Sequence, residues 1–260
     1  MSATVPDPGR RDRELFDAIS TAYTRKDTHL PSRIARMQRL RSTLAIVPFT
    51  DLSESPRFAE IGCGAGFAAE YLEGSYAFYL GLDHSSRLIE LARSRNTHRP
   101  QVHFQVVDIL NWEASESFDV IFAIGVLHHL NDIQKALSRA FQALVPGGWI
   151  VVNEPQPGNP LVRGARWIRK RTDSSYSAHQ VELSRATIHQ FFSDAGFMDI
   201  LSVAQGFVAT PLAEVIVPLG PVGPPLARGA CATDRLLERT VGRVLPSLSW
   251  NVAVAGRRPI

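Results

Sequence analysis

Residues Glu60 to Gly66 (EIGCGAG) combine one carboxylate with three glycines on alternate positions. Glycine reaches left-handed dihedrals and lets backbone approach a ligand with no Cβ in the way. Ala65 to Leu72 suits a helix, whose positive N-terminus and free N–H groups then face the turn. A carboxylate at Glu60 repels a pyrophosphate and suits a ligand with positive charge, such as an amine. The dinucleotide fingerprint spaces its glycines G-x-G-x-x-G. Here the spacing is G-x-G-x-G and position 67 is Phe, which disfavours a dehydrogenase. Further along stand groups able to bind a hydroxyl or take a proton: Asp83, Asp108, His128, His129, Glu154 and His179. Two adjacent histidines cannot both face one site on a regular element, and His129 is the one expected to face a pocket. No third ligand lies near this pair, so no metal site is expected.

These groups need a scaffold. Phe58, Ala59 and Ile61 make a short strand that is apolar on both faces, as a buried parallel strand requires. Ala77 to Leu82 is a second buried strand, and Asp83 ends it. In nucleotide-binding α/β folds an acid at that place, about 20 residues beyond the glycines, accepts from ribose hydroxyls. Ser85 or Ser86 caps the next helix. Gln101 to Val107 is a third strand, ending at Asp108, and Phe118 to Ile124 a fourth. Asp132 to Leu144 is helical, and Pro146-Gly147-Gly148 turns the chain into a fifth strand, Trp149 to Asn153. Ser184 caps a helix to Ala195. Met198 to Ala204 and Ser249 to Ala255 supply the last two strands. Ahead of the first strand, Met1 to Arg13 reads as a flexible start, and helices follow at 14–23 and 32–47. Between the last two strands, Phe207 to Leu226 is apolar and proline-rich, and an amphipathic helix is expected over 234–245.

The glycine turn with its preceding acid, Asp83, Asp108-Ile109, the Leu127-His128-His129-Leu130 run and LVPGGWIVV together resemble the class I S-adenosylmethionine (SAM)-dependent methyltransferases of small molecules. The order and spacing match across residues 57–154. The resemblance implies a Rossmann-like doubly wound α/β sheet of seven strands, mostly parallel with the last antiparallel, with N-terminal helices and an insert between strands six and seven. The chain then reads as one domain over 1–260. It comprises a helical cap at 1–55, a SAM-binding core at 56–160, a lid or substrate loop at 161–183, and 184–260 with the apolar insert at 207–246. The resemblance also implies that Glu60 holds the methionine amine, that Asp108 takes the adenine amino group, and that Ile109 packs on the ring. It places Tyr23, Gly62, Cys63, Gly64, Gly66, His84, Ile124 and Gly125 along the cofactor. His128, His129, Glu154 and His179 are the candidate bases, with Glu154 in a loop after strand five that faces the acceptor.

Composition narrows the partners. The chain of 260 residues is 45% hydrophobic, enough to bury a full core, and its formal charge of +3 is too small to argue for nucleic acid. Two cysteines far apart, with no apolar leader, fit a reducing cytoplasm. No NPPY-type run is present, which argues against methylation of adenine or glutamine amides. The acceptor is expected to be an apolar or lipid-like metabolite, anionic if the basic segment Arg163 to Arg171 meets it, with O-methylation ahead of C- or N-methylation. A SAM-binding protein with non-methylating chemistry or a regulatory role is the alternative. A peripheral membrane or lipid contact through 161–171 or 207–226, a homodimer contact, the wall of an apolar substrate pocket, and packing on the N-terminal helices are the alternatives for the apolar surfaces.

Overall fold

The computed structural model describes residues 8–48, 52–159, 164, 181 and 183–260. Two helices come first, α1 (Pro8–Thr28) and α2 (Leu30–Leu44). The core follows as β1 (Arg57–Ile61), α3 (Phe67–Tyr71), β2 (Phe78–Asp83), α4 (Ser86–Arg95), β3 (Val102–Val106), β4 (Phe118–Ile124), α5 (Ile133–Ala143) and β5 (Leu144–Pro155). The remainder is α6 (Arg185–Asp194), β6 (Met198–Gln205), α7 (Thr210–Glu214), α8 (Gly223–Arg239), α9 (Val241–Val244) and β7 (Asn251–Arg257).

The seven strands form one sheet in the order β3-β2-β1-β4-β5-β7-β6. β1 to β5 are parallel, and β7 runs antiparallel to both β5 and β6. The central strands are buried on both faces, which is why they read as unbroken apolar runs. Side chains alternate between the two layers. Phe58, Phe122 and Val151 pack with Leu40, Leu44 and Ile89 on one face. Ala59, Ile121 and Ile150 pack with Leu137 and Ile188 on the other. β1 has β2 on one side and β4 on the other, so the winding reverses there. A crevice opens outside the carboxyl ends of the strands at such a point. Serine and aspartate caps fix the helices that border it: Ser85 accepts from Leu88 N at 3.1 Å and Asp132 from Lys135 N at 2.8 Å.

Three elements differ from the sequence reading. α1 begins at Pro8, inside the segment expected to be a flexible start, because proline at the first helical turn loses no hydrogen bond. The same rule admits Pro224 and Pro225 to the first turn of α8, which therefore starts at Gly223 and ends at Arg239. The expected 234–245 helix is its second half plus the separate α9. Finally, β5 does not wait for Trp149. Leu144 already pairs with Phe118, and the pairing then jumps to Val120 with Trp149. Pro146-Gly147-Gly148 is thus a bulge inside the strand, with Gly147 at φ +79°. The strand also continues through Glu154, which pairs with Val252 rather than entering a loop.

The N-terminal cap is tied to the sheet by buried polar groups. Asn153 of β5 donates to Thr43 Oγ1 at 2.9 Å and to Gln205 Oε1 at 2.7 Å, and Thr43 donates to the same Gln205 oxygen at 2.9 Å. α2, β5 and β6 therefore share one closed hydrogen-bond triangle, whose members are worth most when all are satisfied.

Candidate cofactor and acceptor site

Each motif glycine has a separate reason. Gly62 sits at φ +71°, and a Cβ there lands 2.5 Å from Val126 Cγ2. Gly66, at φ +72°, lies against Phe104 and Ala92, with Cβ distances of 2.7 and 2.9 Å. That glycine packs the start of α3 on its neighbours and lines neither cavity described below. Gly64, at φ +52°, is buried but lines the crevice beside the exposed Gly62. The turn is held from β2: Gly62 N and Cys63 N both donate to Leu82 O, and Gly64 N donates to Asp83 Oδ2 at 2.9 Å. Asp83 Oδ1 accepts from Ser85 N, also at 2.9 Å. One carboxylate thus clasps the glycine turn and the start of α4, with a lone pair left on each oxygen. Burial pushes its pKa up, against the pull of the Ser85 and Gly64 N–H groups and of His84.

Two cavities flank this turn and share Gly62, Gly64 and Ile124. The first encloses about 830 Å³ counting the solvent at its open mouth. Asp83, His84, Leu88, Asp108 and Leu110 line one end, and Gly125, Val126 and His129 the other. Phe16 of α1 crosses it, edge-on to His84 at 5.9 Å and to His129 at 5.5 Å between ring centroids. His84 Nε2 is buried with no partner among the described residues.

Asp108 accepts from Leu110 N at 3.0 Å and so begins a 3₁₀ turn over Ile109–Asn111. That turn rotates Ile109 into the core, where it is 6% exposed, and brings Leu110 to the cavity. Ile109, the residue expected against an adenine ring, does not line this cavity, and its neighbour Leu110 does.

The second cavity, about 590 Å³, is lined by Glu60, Cys63, Tyr71, Asp27, Arg36 and Arg39 among others. Glu60 is buried and accepts from the Tyr79 hydroxyl. Burial pushes its carboxyl up to about 8, the Tyr79 hydrogen bond opposing and the Asp83 and Asp27 charges adding. Tyr71 donates to Asp27 Oδ1 at 3.0 Å, Arg36 pairs with Asp27, and Arg39 donates to Glu214 Oε1 at 2.8 Å. The Nε of Arg39 is buried with no partner among the described residues. The sequence reading missed Asp27, Arg36 and Arg39, since nothing in their spacing shows that α1 and α2 fold back over the turn.

The two histidines stand at the ends of β4 and β5. His129 lines the first cavity and His128 does not. His128 Nδ1 lies 2.6 Å from Glu154 Oε2, while Glu154 Oε1 accepts from Val126 N at 2.9 Å and Leu127 N at 2.7 Å. Glu154 has no exposed surface. It is therefore the anchor of the 3₁₀ turn Leu127–His129 and not an open loop carboxylate. The His128 and His129 rings are 4.1 Å apart. Tyr23 lies in α1, but its side chain is outside the described residues, as are His179 and the basic residues Arg163, Arg166, Arg169, Lys170 and Arg171. Among the described residues no group of three or more His, Cys, Asp or Glu could hold a metal ion.

Comparison with known proteins accords with this geometry. The family described as a methyltransferase domain matches residues 59–150. Phosphoethanolamine N-methyltransferase 1 of Triticum aestivum is 30% identical over 62% of this chain and 32% of its own length. Trans-aconitate 2-methyltransferase of Variovorax paradoxus is 30% identical over 48% of this chain and 50% of its own. The chain thus spans a third to a half of the curated relatives it matches. A SAM-dependent methyltransferase structure from Thermotoga maritima superposes with a TM-score of 0.67 at 20% identity, covering 95% of this chain and 99% of that one. Residues 59–150 thus match the methyltransferase-domain family, and the seven-stranded sheet with its glycine turn has the fold of that SAM-dependent methyltransferase structure.

Proposed function

We propose that the protein binds SAM and transfers its methyl group to a small-molecule acceptor. The observation that carries this is the Asp83 clasp: one carboxylate holds Gly64 and Ser85 and faces a crevice whose other acids, Glu60 and Asp108, stand on either side of the same turn. The residues present fit the cofactor. Gly62 and Gly64 line both cavities without a side chain, and Arg39 Nε and His84 Nε2 are buried with no hydrogen-bond partner among the described residues. In this reading Asp83 takes the ribose hydroxyls, and Asp108 takes the adenine amino group with Leu110 against the ring. Glu60 takes the amine and Arg39 the carboxylate of the methionine end. Bound SAM supplies an electrophilic methyl group with a good leaving group. The chain's task is to align the acceptor lone pair with it and to exclude water.

Where the acceptor carries a proton, His129 is the residue placed to remove it, and His128 with Glu154 holds the turn that presents it. A small acidic acceptor is supported by the names of the wheat and Variovorax relatives, and O-methylation remains the first choice. The domain plan of cap, core, lid segment and insert belongs to the same reading. So do a lipid or homodimer contact through 161–171 or the insert, and a cytoplasmic location, which accords with the free thiols of Cys63 and Cys231. Among the described residues no helix is long and apolar enough to cross a membrane.

Calorimetric titration with SAM, S-adenosylhomocysteine and NAD tests the cofactor. Micromolar binding of the first two without NAD is expected, and NAD binding alone sinks the reading. The amine role of Glu60 gives a pH dependence. The ligand needs the ionised carboxylate, whereas the empty protein holds it protonated below about pH 8. Binding must then release a proton, and affinity should rise between pH 6 and 7.5 by at most roughly tenfold per unit. The ligand-free protein should lose stability over the same interval, because the unfolded chain has already released this proton. An affinity that is flat or falls with pH removes Glu60 from this role.

A further inference from the structure

The outward side of α8 carries exposed leucines beside exposed arginines. Its inward stripe, Gly223, Ala227, Cys231 and Asp234, is made of small or short residues that let it pack closely on α2 and on Ala35, Ala209 and Ala213. At about 100° per residue, Arg228, Arg235 and Arg239 fall together on one flank of the rest. Leu226, Gly229, Thr233 and Leu236 form a second ridge beyond them. Leu226 is 54% and Leu236 63% exposed, and the exposed apolar surface continues past the helix at Val244, 78% exposed.

The charges on this stretch are one-sided. From residue 215 to 248 there are two carboxylates, and both turn inward. Asp234 accepts the N–H groups of Phe207, Val208 and Ala209, and Glu238 that of Gly206. Arg228, Arg239 and Arg243 are exposed, and Arg235, also exposed, leans toward α2 and donates to Gln38 Oε1 at 3.1 Å. An exposed apolar ridge beside a row of arginines with no exposed acid is the pattern of a helix that lies in a lipid interface, its arginine stems along the apolar boundary and its guanidinium groups among headgroup phosphates. A twofold contact between two copies through this face would offer these arginines no exposed carboxylate of the same stretch to pair with.

We propose that α8 docks the protein on an anionic lipid bilayer, with Leu226 and Leu236 entering the interface and Arg228, Arg235, Arg239 and Arg243 meeting the headgroups. This rests on the surface alone and stands or falls apart from the methyl-transfer reading. The test is co-sedimentation of the full chain with vesicles of phosphatidylcholine, and of phosphatidylcholine mixed with phosphatidylglycerol. Binding to the anionic vesicles only, released by added salt, is expected. Leu226→Gln with Leu236→Gln should reduce it at least tenfold. Arg228→Gln, Arg235→Gln and Arg239→Gln together should reduce it on the order of a hundredfold, at about fivefold per arginine. Thermal unfolding and SAM titration matching the parent confirm that each variant is folded. Independently of any variant, hydrogen exchange of the parent on anionic vesicles should slow across residues 222–245. No binding to anionic vesicles, equal binding to both kinds, or exchange protection elsewhere overturns the proposal. So does a concentration-dependent dimer that the leucine pair dissolves, which would give this face to a second copy.

Discussion

Glu154→Ala should cost at least about 3 kcal/mol of unfolding free energy, at roughly 1–3 kcal/mol for each of three buried donors left without its acceptor. The carboxylate is wholly enclosed and serves three donors at once: Val126 N, Leu127 N and His128 Nδ1. Alanine leaves two backbone N–H groups and an imidazole without an acceptor, each carrying roughly 1–3 kcal/mol of unmet desolvation. No water-filled route replaces it, since the side chain has no exposed surface. Glu154→Gln retains the shape and one acceptor oxygen, and should recover part of the loss. Urea denaturation of the three proteins decides this. A loss under about 1 kcal/mol for alanine would mean the turn is held by something else. The same pair of variants separates holding from chemistry. If Glu154 only positions the Leu127–His129 turn, an acceptor found by screening should show a reduced kcat in Glu154→Gln with the SAM dissociation constant nearly unchanged.

Asp83→Ala should weaken SAM and S-adenosylhomocysteine by about a hundredfold or more. Two ribose hydroxyls donating to a charged oxygen are each worth roughly 1.5–3 kcal/mol, and about 2.7 kcal/mol already corresponds to a hundredfold. The structure adds a second cost. Gly64 N and Ser85 N lose their acceptor, so the variant should also lose roughly 1–3 kcal/mol of stability. The two losses are separable with a ligand lacking the ribose hydroxyls. If the hydroxyls account for the affinity, that analogue binds parent and variant alike; if the glycine turn has simply loosened, it too is weakened in the variant. Calorimetry at matched, folded concentrations gives the answer. An Asp83→Ala protein with parental affinity for S-adenosylhomocysteine would remove the ribose from this end of the cavity.

What the sequence made legible was local. A strand, three glycines and a helix in succession leave little choice about Glu60 to Leu72, and Asp83 had to stand beside the turn once β1 and β2 were parallel neighbours. What it hid was set by contacts distant in the chain. Arg39 is an ordinary helix-surface arginine until α2 is folded against the glycine turn. Ile109 and Leu110 are equally apolar, and the Asp108 cap alone decides which one faces the cavity. Glu154 followed by Pro155 and Pro157 looks like the start of a loop, yet pairing with β7 carries the strand past it. Pro224-Pro225 looks like a break and is a helix start, because the same residue has opposite meanings inside a helix and in its first turn.

The place of β7 has a consequence for how the chain reaches its native state. It lies between β5 and β6, which do not pair with each other, and it joins Trp149 to Arg257 across about a hundred residues of intervening chain. Closing so long a loop is entropically slow, and the rest of the sheet can form before it happens. Until β7 arrives, β5 and β6 each present a free edge of N–H and C=O groups, one of them the strand that carries Glu154. Open edges of that kind recruit strands from other molecules. Refolding yield should therefore fall as protein concentration rises, with the competition fought over a single late strand and not over the early glycine-turn half of the sheet.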